Sequence, residues 1–90
     1  MAIARRRVIA GGEVQGVGFR MNARAVAIRL GLSGFARNLP DGRVEVEFEG
    51  QNDAVDEFLD WLGHGPRYAT VESMEVAELE PTGAGGFDVS

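Results

Sequence analysis

The sequence predicts an α+β fold: one antiparallel sheet with two helices on one face. Three observations predict it. Apolar residues at i, i+3, i+4 and i+7 recur twice, at Ala23, Val26, Ala27 and Leu30 and again at Val55, Phe58, Leu59 and Leu62, which is the stripe of a core-facing helix. From Val44 to Glu49 apolar and acidic residues alternate strictly, as in an antiparallel strand with one buried and one wet face. Glycine and proline punctuate the chain between these segments and shorter β-rich ones.

Arg5 to Ala10 reads as the first strand, built on Val8 and Ile9 and entered through Arg5, Arg6 and Arg7, which are expected to be exposed strand-end residues. Gly11 and Gly12 follow, and glycines at 12, 16 and 18 make the next stretch a loop with unusual dihedrals. Met21 to Leu30 is the first helix, with Met21, Ala25 and Ile28 as a second apolar strip that leaves room for another contact, and Gly31 as its left-handed stop. Gly34 to Leu39 is a short strand, Pro40-Asp41-Gly42 a turn, and Arg43 to Glu49 the returning strand of a hairpin. Asn52 to Gly63 is the second helix, with Asn52 as its expected cap and Asp53, Asp56 and Glu57 near the positive end of its dipole. His64, Gly65 and Pro66 end it. Ala69 to Leu79 is a less regular strand, with a bulge expected near Glu72 and Ser73 because Val71 is out of phase with Met74 and Val76. Pro81 to Gly86 is a loop and Phe87 to Val89 a last short strand. The order is β-α-β-β-α-β plus a short extra C-terminal strand, the ferredoxin-like α/β sandwich, in a single domain over residues 1–90.

Composition excludes several function classes. The chain has no Cys, so disulfides, thiolate-held metal and a Cys nucleophile are out. A single histidine, His64, excludes a multi-His metal site, and with only Ser33, Ser73 and Ser90 as serines a His-based triad is a poor fit. No apolar run approaches a membrane span and no signal-peptide core is visible, so a soluble cytoplasmic protein is expected. The net charge is −5, and all nine basic residues are Arg. Eight of them fall in residues 1–43, beside only Glu13 and Asp41. The acidic balance argues against a nucleic-acid partner, while the basic half leaves room for one small anion. Glu45, Glu47 and Glu49 also stand where an RNA-binding sheet would carry aromatics.

The chemistry is expected at Gln15, Gly16, Val17, Gly18, Phe19 and Arg20, where a strand passes into a helix. Backbone N–H groups at a helix start are unpaired and carry the positive end of the dipole. A glycine-rich loop lets several of them surround one anion, and Gly16 and Gly18 put no side chain in the way. Arg20 in the first helical turn can add a guanidinium fork. The loop is neither a Walker A, since no Gly-Lys-Ser/Thr follows, nor a dinucleotide fingerprint, since Met21 stands where glycine is needed. On pattern alone, a phosphate-sized cradle and a tight glycine turn beside a surface Arg are both open.

Gly12-Glu13-Val14-Gln15-Gly16-Val17-Gly18-Phe19-Arg20 resembles the signature of the acylphosphatase family, glycine-x-Val-Gln-Gly-Val-Gly-Phe-Arg. A second signature follows in register, Leu30-Gly31-Leu32-Ser33-Gly34-Phe35-Ala36-Arg37-Asn38 and then Leu39-Pro40-Asp41-Gly42-Arg43-Val44-Glu45-Val46. Gly65-Pro66, Ala69, Val71 and Phe87 also fit, so the resemblance spans essentially the whole chain. It implies hydrolysis of the carboxyl–phosphate bond of small acyl phosphates without metal or cofactor. It implies that Arg20 and the loop from Gln15 to Arg20 bind phosphate and that Asn38 orients the attacking water. In the family mechanism no side chain is the base; the substrate's own phosphoryl oxygen helps to deprotonate the water. Met21 departs from a common aromatic, and Phe35-Ala36 from a frequent Trp-Val. The expected partners are the acyl phosphate and inorganic phosphate, with no nucleic acid and no membrane, acting on a monomer. The rival reading is a catalytically silent anion-binding or protein-interaction module of the same fold.

The remaining candidates have plainer readings. Asp53, Asp56, Glu57 and Asp60 form a solvated helix face, His64 caps the second helix, and Phe58 and Trp61 belong to the core. Alternation sends Arg37 to the strand face opposite Asn38.

Overall fold

A computed structural model of the protein describes residues 2–90. Its elements are β1 (Ile3–Glu13), α1 (Phe19–Arg29), β2 (Ser33–Asn38), β3 (Val44–Gln51), α2 (Asn52–His64), β4 (Thr70–Leu79) and β5 (Phe87–Val89). The five strands form one sheet in the order β4-β1-β3-β2-β5. Two helices cover one face, as the ferredoxin-like plan requires.

The covered face holds the core. Val8, Ala10, Ala36, Val44, Val46 and Phe48 from the sheet meet Phe19, Ala23 and Ala27 of α1 and Val55, Phe58 and Leu62 of α2. Phe58 stands edge-on to Phe48 with centroids 4.8 Å apart, and Trp61 stacks on Phe58 at 5.9 Å. Among these, Ala23, Ala27, Val55, Phe58, Leu62, Val44, Val46 and Phe48 are residues that the two helical stripes and the alternating strand place inside, while Leu30 and Leu59 of the stripes are only partly buried. Helix α1 ends as expected at Gly31, with φ of 75°. The Gly31 N–H donates to Ile28 O and the Leu32 N–H to Ala27 O, the paired bonds of a Schellman stop.

Several expectations are corrected. The sheet is mixed rather than antiparallel, because β5 runs parallel to β2. Strand β4 lies on one edge and β5 on the other, so residues 80–86 cross the sheet and β5 enters at the start of β2. Strand β1 continues through Gly11 and Gly12 to Glu13, since β4 pairs with it there: Gly11 with Ser73, Gly12 with Val71 and Glu13 with Thr70. The skipped residue, Glu72, is the bulge expected from the phase of Val71. Helix α1 starts at Phe19 rather than Met21. Asn52 does not cap α2; Gln51 occupies that position with extended dihedrals and no side-chain bond, and the Asn52 N–H donates to Ala2 O. The strip of Met21, Ala25 and Ile28 faces solvent instead of another element.

The largest correction concerns the outer face of the sheet. Glu45 and Glu49 are buried there, and so is Arg5, which is not an exposed strand end. Antiparallel pairing sets β1 beside β3, so Arg5 reaches Glu47 Oε1 at 2.8 Å and Glu49 Oε1 at 3.1 Å. The crossing segment closes over Glu49: its carboxylate accepts the Thr82 N–H at 2.7 Å and the Gly83 N–H at 2.8 Å. The Thr82 N–H, ahead of those of Gly83 and Arg5, holds the Glu49 carboxyl below its ordinary value, against the opposing effect of burial.

A carboxyl whose folded pKa is depressed contributes stability that is present above its unfolded pKa and lost as pH falls through the folded value. Glu49→Gln is therefore expected to lower the melting midpoint at pH 7, with a loss of about 1–3 kcal/mol for hydrogen bonds to a charged group. The gap between variant and wild type should narrow below about pH 4, where ordinary glutamates protonate. Thermal melts between pH 7 and pH 3 test this; a gap independent of pH would contradict it.

Candidate active site

Tertiary structure gathers the two sequence motifs at one end of the sheet. That end is defined by the register Ala10–Val44–Asn38 across β1, β3 and β2. The segment from Val14 to Phe19 leaves β1 beside it and enters α1.

Alternating anchors shape this loop. Val14 and Phe19 are fully buried, and Phe19 packs on Trp61 with centroids 6.0 Å apart. Between them Gly16 and Gly18 take φ of 75° and 78°, in the left-handed region that favours glycine. No atom lies within 4 Å of a Cβ built on Gly16, so the glycine there answers to the dihedral rather than to crowding by its neighbours. Gly18 is the N-cap of α1, with no side-chain cap bond. Among the described residues, none of the N–H groups from Gly16 to Met21 donates a hydrogen bond; the first that does is Asn22, to Gly18 O at 3.1 Å. A row of free donors thus sits at the positive end of a helix.

Arg20 is the second residue of α1 and half-buried. Its Nη1 donates to the main-chain oxygen of Ser90, and the Ser90 N–H donates to Ala36 O at 3.1 Å. This relay ties the guanidinium to β2 two residues before Asn38. Arg20 has no Asp or Glu partner among the ion pairs of the described residues. The arginines nearby on the hairpin are engaged: Arg37 with Glu45, and Arg43 with Asp41 and Glu75. Arg37 lies on the outer face with Glu45, as alternation expects.

Asn38 closes β2 on the helix-covered side, in line with Ala36, and is exposed. Its side chain makes no hydrogen bond to the described residues, whereas Asn22, also exposed, spends its amide on Gly18 O at 2.7 Å. His64 lies at the end of α2 with Nδ1 on Asp60 O at 2.9 Å, as a helix-end residue would. Among the described residues no three His, Asp or Glu side chains converge as a metal site.

Two contacts escape sequence reasoning. One is the Ser90 main-chain oxygen on Arg20, which depends on where the parallel edge strand delivers the chain. The other is Gln15, whose side chain leaves the loop for the β2–β3 hairpin.

The acylphosphatase family model matches residues 6–89.

The chain belongs to the acylphosphatase family.

It is 56% identical over 87 residues to an acylphosphatase of Rubrobacter xylanophilus, covering 94% of this chain and 78% of that one. It is 55% identical over 78 residues to an acylphosphatase of Thermus thermophilus, covering 87% and 89%. The crystal structure of an acylphosphatase from Bacillus subtilis superposes with a TM-score of 0.92 at 33% identity, covering 97% of this chain and 98% of that one. The acylphosphatase fold is thus shared over nearly the whole chain. No helix is long and apolar enough to cross a membrane among the described residues.

Proposed function

We propose that this acylphosphatase-family protein hydrolyses the carboxyl–phosphate bond of small acyl phosphates, releasing a carboxylate and inorganic phosphate. The observation that carries the reading is the meeting of free loop amides, an Arg without an Asp or Glu partner and an unengaged Asn at one end of the sheet. Loop N–H groups and Arg20 hold the phosphoryl oxygens, where charge must be stabilised during phosphoryl transfer. Asn38 holds a water, its amide able to donate and accept at once. The water oxygen attacks phosphorus as the bond from phosphorus to the acyl oxygen breaks. The carboxylate leaves with the electron pair, and the water proton passes to a phosphoryl oxygen of the substrate. No step asks for a side-chain base, a metal or a cofactor. The same reading has the protein act as a monomer in the cytoplasm, with a small diffusible substrate.

The test is phosphate release from benzoyl phosphate by the purified protein, in the presence of a chelator. Turnover is expected to be unchanged by the chelator and, within about twofold, by His64→Ala, because that imidazole sits on Asp60 O at the end of α2. A strict need for a divalent cation would contradict the mechanism. Phosphate binding without turnover would leave the silent anion-binding module in its place.

A further inference from the structure

Gln15 springs from the glycine loop, but its side chain does not serve the loop. Its Nε2 donates to Leu39 O at 2.9 Å and to Arg43 O at 3.0 Å. Both partners are carbonyls, which can only accept, so the amide must face them with nitrogen and both its hydrogens are used. These two carbonyls already close the hairpin turn by themselves: Arg43 O accepts the Leu39 N–H at 2.8 Å, and Leu39 O accepts the Gly42 N–H at 3.2 Å. The turn therefore does not need Gln15 to satisfy its backbone. Leu39 and Arg43 flank the cross-strand pair of Asn38 and Val44. Among the described residues, the Gln15 amide makes the only hydrogen bonds between residues 15–20 and the hairpin segment 38–43. It is exposed, so it carries no core packing.

We infer that Gln15 is a positioning residue, whose side-chain amide sets the distance between the anion-holding loop and the water-holding Asn38. This rests on the reading of the function above. The loop locates phosphorus and the hairpin locates water; the sheet register and the Arg20–Ser90–Ala36 relay bring the two close, and the Gln15 amide is the direct bond that sets them in line. A misplacement of about 1 Å can cost on the order of 10²-fold in rate. Phosphate itself touches only the loop side and should hardly notice.

The experiment uses Gln15→Met, close in size but unable to donate, and Gln15→Glu, isosteric but facing the two carbonyls with acceptors only. Each is made alone and with Asn38→Ala, and turnover of benzoyl phosphate, the inhibition constant of inorganic phosphate and the melting midpoint are measured. The expected result is a kcat loss of about 10²-fold for Gln15→Met, with the phosphate inhibition constant within about threefold of wild type. In the Asn38→Ala background the same substitution should cost less than about threefold, because the partner through which it acts is gone. Equal losses in both backgrounds, a wild-type kcat in either Gln15 variant, or a loss of phosphate binding larger than the loss of kcat would each overturn the inference. So would failure of both variants to fold, which would make Gln15 a stabilising residue. The wild-type rate separates two kinds of failure. An inactive wild type sinks the functional reading and this inference with it, whereas an active wild type with an active Gln15→Met sinks this inference alone.

Discussion

Arg20→Ala is expected to lower kcat/KM by on the order of 10³-fold or more, the range attributed to arginines that stabilise a transferring phosphoryl group. The physical ground is the developing charge on the equatorial oxygens, which a planar guanidinium meets with two parallel N–H bonds. Arg20→Lys should recover little, because an ammonium is a point charge on a flexible stem and cannot copy the fork. Inorganic phosphate should inhibit both variants less. The Nη1 bond to the main-chain oxygen of Ser90 is lost as well, so melting midpoints are needed beside the rates. Lys keeps the charge, which makes it the control for a purely electrostatic role. Near-wild-type turnover in a folded Arg20→Ala protein would remove Arg20 from the site.

Asn38→Ala is expected to split binding from turnover. In the proposed mechanism the loop and Arg20 hold phosphate in the ground and transition states alike, whereas Asn38 is assigned only the water. Its removal should cost kcat on the order of 10²-fold or more through lost positioning, while the phosphate inhibition constant stays within about threefold. Asn38→Asp keeps the size but sets a negative charge beside an anionic substrate, so it should weaken binding too. Asn38 is exposed and makes no side-chain hydrogen bond to the described residues, so the melting midpoint should move little in either variant. A folded Asn38→Ala that binds phosphate poorly yet turns over at the normal rate would make Asn38 a binding residue.

Legibility in the sequence followed the range of the interaction. Periodicity found α2 because Val55, Phe58, Leu59 and Leu62 repeat along one helix, and it put Val44, Val46 and Phe48 on one face of β3. The bulge at Glu72 was legible as a break in phase along β4 itself. By contrast, Gly11 and Gly12 look like loop until β4 pairs with them, since strand hydrogen bonds come from a partner remote in sequence. Asn52 has the chemistry of a cap, but the cap position falls on Gln51, because β3 runs straight into the helix and its pairing with Ile3 extends to that residue. Glu45, Glu47 and Glu49 alternate as a wet face does. Their burial departs from that pattern because burial of a charge depends on what lies across and above it. The clue was available: Arg5 and Arg7 alternate in β1, and the ferredoxin-like order makes β1 the neighbour of β3.

For the site, the sequence by itself determined which candidate residues are present and in what local order. Two dense motifs place Arg20 after a loop with glycines at 16 and 18, and Asn38 just before a Pro-Asp-Gly turn, because residue type and local dihedrals are local properties. Only the tertiary structure decided how these pieces stand to one another. Arg20 reaches the main-chain oxygen of Ser90 because β5 runs parallel to β2 and carries the chain back to the site, a pairing that no local pattern encodes. Gln15 bonds Leu39 and Arg43, 24 and 28 residues away, because β1, β3 and β2 lie side by side in the sheet. Those long-range hydrogen bonds, whose acceptors are main-chain oxygens without any residue signature, are what a linear sequence cannot announce.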